Sequence, residues 1–184
     1  MSVLAIISTK NGAPTKSGLE AASYAADCAA AKGISSVALV AGEMIGDGGI
    51  GATGINKVLH CSEAYTDSGQ WAKLAAAAAE QEGATAVVAS HDHFGRAVAP
   101  RVAVRLQAGL VAGVTELPSN GTVRKNVFSG KAMADVAVNT SVSVYTVTPN
   151  AFGIKSTEAE APVESFAAEV GGVREKVTGF DSAS

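Results

Sequence analysis

Residues 2–8, Ser-Val-Leu-Ala-Ile-Ile-Ser, form an apolar run without alternation, bounded by the polar Thr9-Lys10-Asn11-Gly12. Such a run predicts a strand buried on both faces. From Lys16 to Lys32 the apolar positions Leu19, Ala22, Ala26, Ala29 and Ala30 fall on one helical stripe, and Gly33 stands where a C-cap glycine belongs. Further apolar runs at 35–42 and 56–62 predict a second and a third strand. Trp71, Leu74, Ala75, Ala78 and Ala79 recur at helical spacing, with Ser68 as the predicted N-cap and Gly83 as the stop. Residues 84–90 predict a fourth strand, about 95–107 a third helix, and 109–117 a fifth strand. Strands alternating with helices, each strand a continuous apolar run, predict an α/β fold whose parallel sheet is covered on both faces.

After Pro118 the pattern changes. Residues 122–130, 131–139 and 141–149 are β-rich and joined by short connections with no helix between them. They predict an antiparallel extension of the sheet. From Ser156 the chain is acidic, alanine-rich and weakly patterned. The expected organisation is one domain over residues 1–155, followed by a linker or tail over 156–184 with one strand around Val173 to Val177.

Composition narrows the class. The chain has 184 residues, 47% hydrophobic and 17% charged, enough for one soluble domain with a sizeable core. Much of the apolar share is alanine, which suits helices packed closely on a sheet. The net charge of -3 provides no basic field for nucleic acid and no polybasic patch for a membrane. Two cysteines, Cys28 and Cys61, make no disulfide framework and point to a reducing compartment. The opening apolar run is too short to span a bilayer and lacks a basic flank. A cytoplasmic location is expected.

Three features invite a chemical reading. The glycine run at 46–54 contains Gly46-x-Gly48-x-x-Gly51 and Gly49-x-Gly51-x-x-Gly54. A dinucleotide fingerprint needs such glycines directly after a strand and opening a helix. Here a strand pattern follows instead, so the run reads as a connection. His60, His91 and His93 all fall near the carboxyl ends of the third and fourth strands, where open parallel sheets bind ligands. A metal-dependent enzyme using them is conceivable, but His91 and His93 in an extended segment point to opposite sides. Asp92 reads as the N-cap of the next helix. No Gly-x-Ser-x-Gly elbow, supported Cys/His pair or paired-carboxylate site is present.

The third feature is the basic helix. Arg96, Arg101 and Arg105 are spaced by five and four, and Arg101 follows Pro100. A proline there starts the helix or bends it. Val102, Leu106 and Leu110 are expected to face the sheet. The arginines are either a solvated face or a subunit contact, for which the planar guanidinium suits bidentate pairing with carboxylates.

Residues 94–117, Phe-Gly-Arg-Ala-Val-Ala-Pro-Arg-Val-Ala and the strand after them, resemble a segment of the alpha subunit of electron-transfer flavoproteins. Residues 123–153 resemble that family's next stretch, and Gly54-Ile-Asn-Lys-Val resembles its approach to the third strand. The resemblance implies a three-layer, nucleotide-hydrolase-like (Rossmann-like) fold. It also implies a beta-subunit partner, with Phe94, Arg96, Pro100, Arg101 and Arg105 as interface candidates. In the complete heterodimer, FAD on a second domain carries electrons from dehydrogenases to a quinone reductase or similar acceptor. That flavin domain opens with a Val-Ser-Gly-Gly-Arg-Gly type motif, which this sequence lacks. No cofactor-binding, catalytic or metal residue is therefore expected, nor flavin held by this chain alone. The histidines are not part of the resemblance. A stand-alone adenine-nucleotide module, binding near residues 8–12 and 90–96, is the other reading to test.

Overall fold

The computed structural model describes residues 1–174 and 177–179. Among the described residues, eleven strands and three α-helices follow one another in chain order. The first part runs β1 (Ser2–Ile7), β2 (Thr9–Lys10), β3 (Ala13–Pro14), α1 (Lys16–Lys32), β4 (Ser35–Ala41), β5 (Lys57–Cys61) and α2 (Ser68–Gln81). Then come β6 (Ala84–Ser90), α3 (His93–Arg105), β7 (Gly109–Val114), β8 (Thr122–Val127), β9 (Ala132–Ala137), β10 (Ser143–Val147) and β11 (Val163–Ser165). Nine strands form one sheet in the order β11-β5-β4-β1-β6-β10-β7-β8-β9, while β2 and β3 make a separate small hairpin. Pairing is parallel from β11 to β7 and antiparallel from β7 to β9.

The strands alternate their side chains between two cores. Val3, Ala5 and Ile7 of β1 pack under α1, against Ala21, Ala22, Ala25 and Ala29. Leu4 and Ile6 face the other layer, where α2 and α3 contribute Trp71, Leu74, Val98 and Val102. This is the expected Rossmann-like three-layer α/β arrangement. Alanine along α1 leaves little side-chain height, so helix and sheet approach closely.

Capping fixes the helix starts. The Thr15 hydroxyl accepts from Gly18 N at 3.0 Å to open α1, and Gly33 closes that helix at φ 63°. At α2 the cap is Asp67, one residue before the expected Ser68. Its Oδ1 accepts from Gly69 N at 2.6 Å and Gln70 N at 3.1 Å, and a carboxylate can satisfy two orphan donors at once.

Two parts of the chain depart from the sequence reading. The stretch 141–149 does not extend the antiparallel end. It crosses back as β10 and inserts parallel between β6 and β7. Val144, Tyr145, Thr146 and Val147 are all buried, as a strand covered on both faces requires. The segment after Ser156 contributes β11, which pairs with the edge of β5 and carries Phe166 and Val170 into the α2–α3 core. The strand expected around Val173 to Val177 runs through Glu175 and Lys176, which lie outside the described residues.

Between β10 and β11 the backbone runs as a strap over α1. Glu20, 3% exposed, accepts from Asn150 N, Phe152 N and Gly153 N at 2.7–2.9 Å. Ser23 Oγ accepts from Lys155 N, and Asp27 pairs with the Lys155 ammonium. These three positions, i, i+3 and i+7, form a polar stripe along one side of α1.

Candidate functional site

The histidines separate on inspection of their partners. His60 on β5 places Nε2 2.7 Å from the Gly42 carbonyl. His91, just past β6, places Nδ1 2.8 Å from Thr146 Oγ1, which also accepts from Gly113 N. His93 is exposed in the first turn of α3. Among the described residues no group of three His, Cys, Asp or Glu side chains is arranged to hold a metal ion. Burial, with Arg96 and Lys125 nearby and Asp92 opposing, holds the His91 imidazole below its ordinary value of 6.5. His91 is thus neutral near pH 7.

Asp92 is the predicted cap. Oδ1 accepts from Gly95 N at 3.0 Å, and Oδ2 accepts from the Ser17 hydroxyl at 2.7 Å, tying the start of α3 to the start of α1. Burial opposes ionisation, but these donors outweigh it and keep the carboxyl below its usual range.

The glycine run is closed by the chain itself. Asp47 accepts from Gly49 N, Gly51 N and Ala161 N at 2.9–3.0 Å. Thr157 N donates to the Ala52 carbonyl. A Cβ on Gly51 would meet Ala161 N at 2.3 Å, so that glycine serves the crossing of the strap. Two amides of the run, Gly49 N and Gly51 N, are thus spent on the Asp47 carboxylate.

The interface candidates lie along α3. Phe94 packs edge-on against Trp71, centroids 5.0 Å apart at 82°, so its ring is engaged within the chain. Gly95 is dictated by contact, since a Cβ there would stand 1.7 Å from the Ser90 carbonyl. The helix starts at His93 and continues through Pro100. Proline removes a ladder donor in that turn, and Arg101 Nη1 donates to the Ala97 carbonyl at 2.9 Å. Val102 is buried and Leu106 partly buried, while Arg96, Arg101 and Arg105 are exposed. Among the described residues these three arginines form no ion pair.

Two cavities adjoin this helix. The larger, about 510 Å³, runs between α2 and α3 and is lined by Lys73, Pro100, Arg101, Val104, Arg105 and Arg174. One rim is the segment 170–174, held by Lys73 Nζ on the Val170 carbonyl, Gln70 Nε2 on the Gly171 carbonyl, and Arg174 N on Asp67 Oδ2. The smaller, about 390 Å³, opens at the carboxyl edge of β1 and β4, between Ser8, Asn11, Glu43, Tyr65, Trp71 and Phe94. The spacing of Arg101 and Arg105 was legible in the sequence. Lys73 and Arg174 join them only through folding, and no local pattern announces that.

Both cysteines are free and buried, and burial pushes the Cys28 thiol up to about 12. Among the described residues no helix is long and apolar enough to cross a membrane. A search of curated proteins finds no match to the chain. Residues 3–170, the greater part of the chain, match the family model of the electron transfer flavoprotein domain, and the chain belongs to that family.

Proposed function

We propose that this chain is the scaffold domain of an electron transfer flavoprotein alpha subunit, packing against a homologous beta subunit. The observation that carries this reading is the outer side of α3. Its arginines 96, 101 and 105 are exposed and in no ion pair among the described residues, on a helix seated firmly against sheet and neighbouring helix by Val98, Val102 and Phe94. A rigid element that presents exposed guanidinium groups is suited to meet carboxylates of another chain. The resemblance of residues 94–117 supports the alpha assignment.

In this reading the domain makes and breaks no covalent bond. FAD is held by another domain of the assembled protein, which takes electrons from dehydrogenases and passes them to a quinone reductase or similar acceptor, in the cytoplasm. Electron transfer requires close approach of donor and acceptor, so a carrier that serves two partners must reposition its cofactor over a stable base. The Ala-packed three-layer core and the strap over α1 supply such a base.

Co-expression with a beta subunit tests the assignment. Arg101→Glu should reduce the co-purified beta subunit at least several-fold while the chain keeps its own melting temperature. Undiminished co-purification removes α3 from the interface.

The carboxyl-edge cavity favours a second reading, an adenine-nucleotide module. Ser8, Asn11 and Phe94 lie at the positions which that reading requires, and Trp71 and Tyr65 supply aromatic walls. Glu43 on the same cavity opposes a phosphate. Titration calorimetry with AMP and ATP decides: stoichiometric heat at micromolar nucleotide supports the module, and its absence removes it.

A further inference from the structure

We infer that the groove between α2 and α3 is a docking site for an extended acidic segment of a partner polypeptide. The inference rests on α3 being a docking face and specifies the chemistry of what docks there.

Charge carries the argument. Lys73, Arg101, Arg105 and Arg174 line the groove, against Asp67 as the one acidic residue lining it among the described residues. They do so in a chain whose net charge is -3. Asp67 is turned to its capping work, accepting from Gly69 N, Gln70 N and Arg174 N, and leaves the cationic side in excess. Arg101 spends one donor on the Ala97 carbonyl, and the guanidinium keeps others for an incoming carboxylate. Between the arginines stands Val104, 79% exposed, which offers an apolar contact inside the charged rim.

Spacing selects the occupant. Arg101 and Arg105 are one turn apart, an advance of about 6 Å along the helix axis. Alternate residues of an extended chain are about 6.6 Å apart and point to the same side. Carboxylates at positions i and i+2 of an extended segment therefore meet the two guanidinium groups together, each able to pair in a bidentate fork. Segment 170–174 bounds the groove on one side.

The test is fluorescence anisotropy with the full chain and a fluorescein-labelled octapeptide carrying glutamate at alternate positions, with leucine or valine between. Saturable binding at about 20 mM salt is expected, falling roughly tenfold or more at about 300 mM. The double variant Arg101→Glu/Arg105→Glu should also lose at least roughly tenfold. Lys131→Glu, an exposed residue between β8 and β9 and outside the groove, should leave binding unchanged. If the double variant melts lower than the parent, Arg101→Gln/Arg105→Gln replaces it, with the same loss expected. Equal binding by the charge variants, or of the same peptide with glutamine for glutamate, overturns the inference. So does a short oligonucleotide that binds more tightly than the peptide. Concentration-dependent dimerisation abolished by the double variant would make a second copy the occupant, and overturns it as well. The peptide assay reads the groove alone, and the co-purification reads the whole docking face of α3. Peptide failure with intact co-purification removes only the acidic-segment inference, and the reverse removes only the beta-subunit reading.

Discussion

His91 occupies the end of β6 with its ring against Gly113 and its Nδ1 at Thr146. Its folded pKa lies below the ordinary value of 6.5 through burial and the nearby cations Arg96 and Lys125. The unfolded chain then binds more protons than the folded one as pH falls below about 6.5, so stability rises with pH across that window. Between pH 7 and 5 the melting temperature of the parent should fall further than that of His91→Gln. Parallel curves for the two would show that His91 does not titrate with folding. At this scale the sequence was partly readable. Asp92 as a cap followed from its place before an apolar-periodic segment. The shared reach of Asp92 to Ser17, 75 positions earlier, did not, because nothing local encodes which helix starts stand side by side.

At the scale of elements, the glycine run shows how a motif can be right in composition and different in purpose. Its residues are held by one carboxylate, Asp47, and Gly51 admits the strap at Glu160 and Ala161. Gly51→Ala should cost about 1–3 kcal/mol, the usual range for forcing atoms into filled space. Gly172→Ala, with nothing within 4 Å and no positive φ, should change stability little. Equal chemical-denaturation midpoints for the two variants would contradict the crossing as drawn. The strands β1, β4, β5 and β6 and all three helices were legible to within about two residues, because their apolar patterns face filled cores. The acidic segment was not. The approach to it over 150–155, and Ala161 within it, are held through backbone donors to Glu20, Ser23 and Asp47, and backbone donors leave no trace in side-chain hydropathy.

For the whole molecule, the strap and β11 decide where the domain ends. Phe166 and Val170 are buried against the α2–α3 core and Ala161 against the α1 side. Burial of the two larger side chains alone contributes about 1.5–3 kcal/mol each, offset by the entropy of ordering the segment. Removing residues 156–184 should therefore destabilise the fold by about 2–4 kcal/mol, or of order 10 °C in melting temperature. A truncated chain that melts with the parent would place the domain boundary at residue 155. The groove between α2 and α3 belongs to this scale too, since its charges come from two helices and the segment 170–174.

The insertion of β10 has its own consequence for synthesis. β6 and β7 are consecutive in the parallel series yet do not pair, since β10 lies between them. A nascent chain that has not yet exposed Val147 holds two half-sheets separated by a slot one strand wide, without the strand ladders that join β7 to β6. Protection of the β7–β9 unit from protease during translation should thus begin late and abruptly, when the missing strand drops into place.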